Sequence, residues 1–136
     1  KATETKSGTV SIATQQEADL GNDDTKAITP RKLKFGFSVS IGSTSGYFFF
    51  PSWLGGFGFQ WGRGTVPLMS VNEGALVSLP KQFSEAIYSV SANDGGVGCN
   101  SIGVSFNSTS SIRIWARAPG SGNLTGTSYS YFAFGR

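Results

Sequence analysis

The stretch Gly46-Tyr47-Phe48-Phe49-Phe50-Pro51-Ser52-Trp53-Leu54-Gly55-Gly56-Phe57-Gly58-Phe59-Gln60-Trp61-Gly62 decides how this chain folds. Tyr47 to Phe50 is a short aromatic run of the kind that favours a pleated strand, and Pro51 stops it. Positions 52–56 end in the pair Gly55-Gly56, which reads as a hairpin loop. Phe57, Phe59 and Trp61 then fall on one face of an alternating segment, with Gly58 and Gln60 on the other. Burying one large aromatic side chain contributes about 1.5–3 kcal/mol. The pattern predicts a hairpin that nucleates a β-core, with Phe57, Phe59 and Trp61 as core rings.

Outward from this hairpin, composition sets the class. The chain has 136 residues, 19 of them glycine, and only 14% are charged. That suits one compact domain with an appendage, built from strands and tight turns and not from a helical bundle. The net charge is +3, and Arg31, Lys32 and Lys34 form the one local basic group. Nucleic-acid recognition needs a denser basic stripe, so no such partner is expected. Histidine is absent, which removes the commonest general base and metal ligand. Cys99 stands alone, so an intrachain disulfide and a thiolate metal cluster are excluded. No cofactor is expected. No apolar run approaches the roughly 20 residues of a membrane span, and Lys1-Ala2-Thr3-Glu4 resembles the cut end of a longer chain more than a signal peptide.

Before the hairpin, positions 1–35 hold more than half of the charged residues. Val10 and Ile12 suggest a short strand. Thr14 with Glu17 has capping-box spacing, which predicts a helix over 15–20 ending at Gly21. Thr29-Pro30 reads as the start of a second short helix. This segment has too little apolar surface to fold alone and reads as a flexible linker or as a shaft that leans on neighbouring chains. Phe35, Phe37, Val39 and Ile41 alternate as a strand leading into the hairpin. After it, Gly62-Arg63-Gly64 reads as a turn and 65–71 as weakly extended. Strands are predicted near 75–79, 86–92, 101–106, 111–116 and 128–135, with Tyr129 and Tyr131 on one face of the last and Phe132 and Phe134 on the other. Short strands at this spacing indicate a sandwich or barrel.

Several of these motifs are familiar as a set. Gly46-Tyr47, Pro51, Leu54 and Phe59-Gln60-Trp61-Gly62 resemble the "GY…LP.GL..QWG" opening of phage tail-fibre C-terminal domains. Val77-Ser78-Leu79-Pro80-Lys81-Gln82-Phe83 resembles the "V.FP..F" element that follows there. Tyr131-Phe132-Ala133-Phe134-Gly135 is similar to the closing "Y.A.G" strand. Upstream, Gly8-Thr9-Val10, Ala13-Thr14, Glu17-Ala18 and Ala27-Ile28-Thr29-Pro30 resemble segments of fibre shafts and collars. The sequence departs from the pattern at Phe48-Phe49-Phe50, where a more polar strand is usual, and at Leu79, where Phe is usual. The first departure suits a trimer contact. The resemblance implies an all-β fold: a β-sandwich tip at 43–136 on a homotrimeric fibre, preceded by a short mixed α/β shaft or collar segment at 1–42. It also implies a place at the distal end of a bacteriophage, prophage or tailocin tail fibre made in the host cytoplasm, and attachment to a host cell-surface receptor, a lipopolysaccharide glycan or an outer-membrane protein.

A saccharide needs flat aromatic faces for its C–H surface and planar polar groups for its hydroxyls. Loops on a rigid β-scaffold are the usual place for them, here 52–56, 63–72, 93–100 and 118–127. The candidate receptor-binding residues are Trp53, Asn93, Asp94, Asn100, Arg113, Trp115, Arg117 and Asn123. Asn and Asp beside glycine also serve as ordinary turn residues, and Trp53 also suits a trimer contact. With Ile112 and Ile114 inward, Arg113, Trp115 and Arg117 face outward together, where they could stack a sugar and grip an anionic group. The same trio, like Tyr129 and Tyr131, also suits a subunit interface. No catalytic site is expected. Without histidine a Ser-His-Asp site cannot form, and Glu85 with Asp94 is the one carboxylate pair a depolymerase reading could use. A purely structural trimerising cap is the alternative to receptor binding.

Overall fold

The computed structural model describes residues 7–68 and 73–136. Among the described residues, eight strands form two antiparallel sheets. The larger has the order β1(Ser38–Ile41), β2(Ser45–Phe49), β3(Gly58–Val66), β8(Thr127–Gly135), β5(Ile87–Asp94). The smaller has the order β4(Ala75–Ser78), β7(Ser111–Arg117), β6(Ser101–Ser108). They pack as a sandwich, the class expected. Phe83, Ile112 and Ile114 are wholly buried between them, with Phe49, Val66, Tyr129, Tyr131 and Ala133.

The N-terminal expectations largely hold. Helix α1(Gln15–Leu20) is capped by Thr14, whose hydroxyl accepts from the Glu17 amide while the Glu17 carboxylate accepts from the Thr14 amide, and it ends at Gly21 with φ +63°. Helix α2(Pro30–Lys34) starts after Thr29. The expected strand at Val10 and Ile12 is reduced to one parallel bridge between Ile12 and Ala27. Val10, Ile12, Leu20, Ile28, Leu33 and Phe35 are exposed, and among the described residues of this segment only Ala13 is buried.

The hairpin forms, but its faces are the reverse of the expectation. Gly58, Gln60 and Gly62 point inward and are buried, whereas Phe57, Phe59 and Trp61 lie on the outer face. The reason lies on β8. Tyr131 pairs with Gly62 and Tyr129 with Gly64, and a Cβ on either glycine would overlap the tyrosine ring. The inward tyrosines need glycine opposite them. For the same reason 62–64 is not a turn: β3 runs through it without a break. Tyr129 and Tyr131, read as suited to a ligand or a subunit interface, instead belong to the core. Positions 69–71, the end of the segment read as weakly extended, lie outside the described residues.

Gln60 has a structural role. Its side-chain amide donates to the Lys81 carbonyl (2.5 Å) and accepts from the Lys81 amide (2.8 Å), so the loop between β4 and β5 is tied to the core. Lys81 Nζ then donates to Ser38 Oγ and sits 5.0 Å from the centre of the Phe49 ring.

Candidate functional site

The two outer faces of the sandwich differ in chemistry. On the five-stranded sheet, Phe48 pairs with Phe59 and Phe59 with Phe134, while Trp61 pairs with Phe132. Paired residues share a face, so these rings form one surface, continued by Phe57 stacked on Phe134 and by Tyr88 beside them. Phe132 and Tyr88 are each 47% exposed. A contiguous apolar face of this kind marks an interaction surface.

The outer face of the three-stranded sheet carries the expected trio. Ile112, Ile114 and Ala116 are buried, and Arg113, Trp115 and Arg117 alternate outward from them. The Trp115 ring lies over Gly74, where a Cβ would come within 2.7 Å of it, and Gly103 is its partner across β6. Gly74 has φ +75°, a conformation that favours glycine, so the turn and the seat for the indole depend on the same residue. Bordering the ring is an open depression of about 550 Å³ lined by Ser101, Ile102, Gly103, Trp115 and Arg117. At one end Arg113 donates to the Glu73 carbonyl (3.0 Å) and to Asn107 Oδ1 (3.2 Å). At the other, exposed Arg117 donates to the Gly122 carbonyl (2.6 Å). Both guanidiniums are thus held in place along the indole. The arrangement offers an aromatic surface, a backbone open enough for a ligand to approach, and fixed cations. Sequence reasoning identified the trio but not Gly74, Gly103 and Ser101, which shape the space around it.

The other candidate residues divide. Asn123 lies on the 118–126 loop that Arg117 holds, and its carbonyl accepts from the Ala118 amide. Asn100 immediately precedes Ser101, the β6 partner of Arg117. Its side chain is committed to a knot: Asn100 Nδ2 donates to Asp94 Oδ2 (3.3 Å) and Thr127 Oγ1 (3.1 Å), while Asp94 Oδ2 also accepts from the Asn100 backbone amide (2.7 Å) and Asp94 Oδ1 from the Gly96 amide (3.0 Å) and the Thr127 hydroxyl (2.8 Å). The Gly96 amide first, then Thr127 and Asn100, hold the Asp94 carboxyl below its ordinary range. Asp94 and Asn100 therefore shape the loop. Asn93 is exposed on the opposite sheet, paired with Ser130. Trp53 sits in a 3-10 turn, Ser52–Leu54, and is 43% exposed. It lies just before β3, whose first residue pairs with Gly135 at the end of β8, whereas Arg117 bridges to Leu124 just before β8 begins. Trp53 and Arg117 are thus at opposite ends of the sandwich.

Glu85 lies two residues before β5 and Asp94 ends it, so they stand roughly 25–30 Å apart at ~3.3 Å per residue, against the 5–10 Å or so that a glycosidase pair needs. Within one chain they make no pair. Among the described residues no group of acidic or cysteine side chains could hold a metal ion, and no helix is long and apolar enough to cross a membrane.

Comparison with known proteins gives the family. The chain is similar over its whole length to the C-terminal part of the P. aeruginosa R2 pyocin fibre, at 18% identity and a TM-score of 0.60, covering 38% of that chain. An N-truncated R2-type pyocin tail fibre matches 99% of the chain at 19% identity and the same TM-score, with 56% of it covered. The P. aeruginosa R1 pyocin fibre matches at 13% identity and a TM-score of 0.54, covering 100% of this chain and 40% of that one. These likenesses show the shared fold, and the chain spans about two fifths to just over half of those structures. No curated protein matches it. Residues 53–136 match the model of the tail fiber protein gp53-like C-terminal family. That match takes in every strand from β3 onward, and the chain therefore belongs to the gp53-like tail-fibre C-terminal family.

Proposed function

We propose that this domain attaches a phage or tailocin tail to its host by binding a bacterial surface saccharide, the glycan of a lipopolysaccharide, at the Trp115 face. The observation that carries this reading is the indole of Trp115, seated over Gly74 between two restrained arginines at the edge of an open depression. Aromatic rings take the C–H faces of sugars, and guanidinium takes the carboxylates and phosphates of an anionic glycan. The ligand-facing set is Trp115, Arg113 and Arg117, with Asn123 beside them. Asn93, Asp94, Asn100 and Trp53 contribute through loop shape or at other surfaces.

The protein works as a homotrimer in this reading. The aromatic outer face of the five-stranded sheet supports the assembly, because a surface this apolar is stabilised by burial against other protein. The exposed apolar residues of 7–35 support it as well, as the shaft or collar segment wound among the other copies. Three weak sites then act together through avidity, at the distal end of the fibre and without catalysis. The test is binding of the purified protein to whole Gram-negative cells and to their lipopolysaccharide, with the mass in solution taken by light scattering. Saturable binding by a trimer, weakened by Trp115→Ala without loss of folding, is expected. A trimer that binds no host surface leaves a structural cap, and a stable monomer contradicts the fibre assembly.

A further inference from the structure

The outer face of the five-stranded sheet is not aromatic along its whole length. Two residues beyond Trp61 on β3 comes Arg63, and two residues before Phe132 on β8 comes Ser130. Register places Arg63, Ser130 and Asn93 in one row across β3, β8 and β5, and Thr65 with Ser128 in the next. Gly95 continues that second row, its amide donating to the Ser128 carbonyl (2.9 Å). The central strand thus carries only serines here, with Arg63 and Thr65 on one side and Asn93 and Gly95 on the other. The result is a trough of about 510 Å³ lined by Thr44, Arg63, Thr65, Ser128, Ser130 and the glycines 64 and 95, with Tyr129 at its base. Trp61 and Phe132 stand in the next row of the same face. The Arg63 side chain is exposed and makes no hydrogen bond or ion pair with any described residue. That is the reverse of Arg113 and Arg117, whose guanidiniums are engaged by backbone carbonyls.

We propose that this trough is a second saccharide subsite that takes an acidic sugar, with Arg63 on its carboxylate or phosphate. The inference rests on the reading that the domain binds surface saccharides, but on different residues from the Trp115 site. A row of hydroxyls on short side chains presents donors and acceptors to sugar hydroxyls. An unengaged guanidinium at the edge supplies two parallel donors, which match a carboxylate or phosphate and not a neutral hydroxyl. A charge-assisted bond of this kind discriminates an acidic from a neutral sugar by about tenfold or more.

The test uses the full chain and three probes, galacturonate, glucose 6-phosphate and glucose, followed by amide chemical-shift titration. The expected result is that an acidic probe shifts Gly64, Gly95, Ser128 and Ser130 at concentrations about tenfold lower than glucose does, and that added salt weakens this. A stronger response to galacturonate assigns the anion as a carboxylate, and a stronger response to glucose 6-phosphate as a phosphate. Arg63→Gln removes the preference for acidic probes, while Arg31→Gln on the N-terminal segment leaves it intact. Ser130→Leu fills the trough and removes all three responses there. Equal responses to acidic and neutral probes, no response at the trough, or a preference unchanged in Arg63→Gln would each overturn the proposal. If Trp115→Ala abolishes cell binding while Arg63→Gln alters no titration, the receptor reading stands and this one falls. If Trp115→Ala leaves cell binding intact while the trough titrates as expected, the reverse holds.

Discussion

Trp61 and Trp115 are placed by the same device. Each indole lies over a glycine of a neighbouring strand or turn, Gly46 for Trp61 and Gly74 for Trp115, where a Cβ would overlap the ring. Their surroundings differ. Trp61 is paired with Phe132 and has Phe59 two residues away on the same face. Trp115 is flanked by Arg113 and Arg117 and borders a depression that Ser101 and Gly103 leave open. A ring among rings is stabilised by covering with another apolar surface. A ring among cations and hydroxyls suits a partner that brings both C–H surface and polar groups. One residue type in one packing geometry thus serves two ends, and its neighbours decide which.

The comparison can be broken first at β7, whose two faces have opposite roles. Ile114→Ala empties a fully buried position and should cost about 2–5 kcal/mol, read as a lower thermal midpoint. Trp115→Ala, one residue on, should leave that midpoint nearly unchanged. The next effect in size concerns assembly. Phe132→Arg puts a charge on the aromatic face, and light scattering should find folded monomer in place of trimer; unchanged mass would separate that face from the subunit contact. On the other face, Trp115→Ala should weaken lipopolysaccharide binding by about tenfold per site, the equivalent of ~1.4 kcal/mol, with the mass unaltered.

Titration gives smaller effects that separate core from appendage. Burial, and then the neighbouring Tyr129, push the Tyr131 hydroxyl up to about 12. A phenol raised in the folded state stabilises the fold fully below its unfolded value, about 10, and that contribution is lost as pH rises through 12. The sandwich should therefore lose stability over this alkaline window, and Tyr131→Phe should blunt the loss. Glu17 behaves oppositely. The Lys26 ammonium, and then the Thr14 amide, hold its carboxyl down to about 2. Its contribution is complete above the ordinary value near 4.5 and fades as pH falls toward 2. Amide shifts of α1 should follow that acid titration while those of β8 stay fixed.

The sequence was readable where a local rule acts alone. Thr14 with Glu17 marked α1 because capping needs only neighbours in the chain. Alternation put Arg113, Trp115 and Arg117 on one face because the strand period is two residues. Alternation does not say which face is inside. Hydrophobicity alone points Phe57, Phe59 and Trp61 inward, and that inference fails for a sheet that is apolar on both faces. The deciding signal was present but lay across strands: Gly62 and Gly64 stand on β3 where β8 brings Tyr131 and Tyr129, and Gly58 where β2 brings Phe49. Reading it required the register of two segments far apart in sequence. The trough at Arg63 was hidden for the same reason, since its residues come from β3, β8 and the loops at Thr44 and Gly95, and 62–64 looks like a turn until Tyr129 and Tyr131 explain its glycines.

Hydroxyl-radical footprinting of the intact protein, with and without lipopolysaccharide, tests the division of the two faces most directly. Both indoles are partly exposed in a single chain, so their oxidation reports what covers them. The account predicts that Trp61 and Phe132 are protected with or without lipopolysaccharide, and that Trp115 is oxidised until lipopolysaccharide is added. Oxidation of Trp61 and Phe132 as rapid as that of Trp115, or a Trp115 already protected in the free protein, would contradict it.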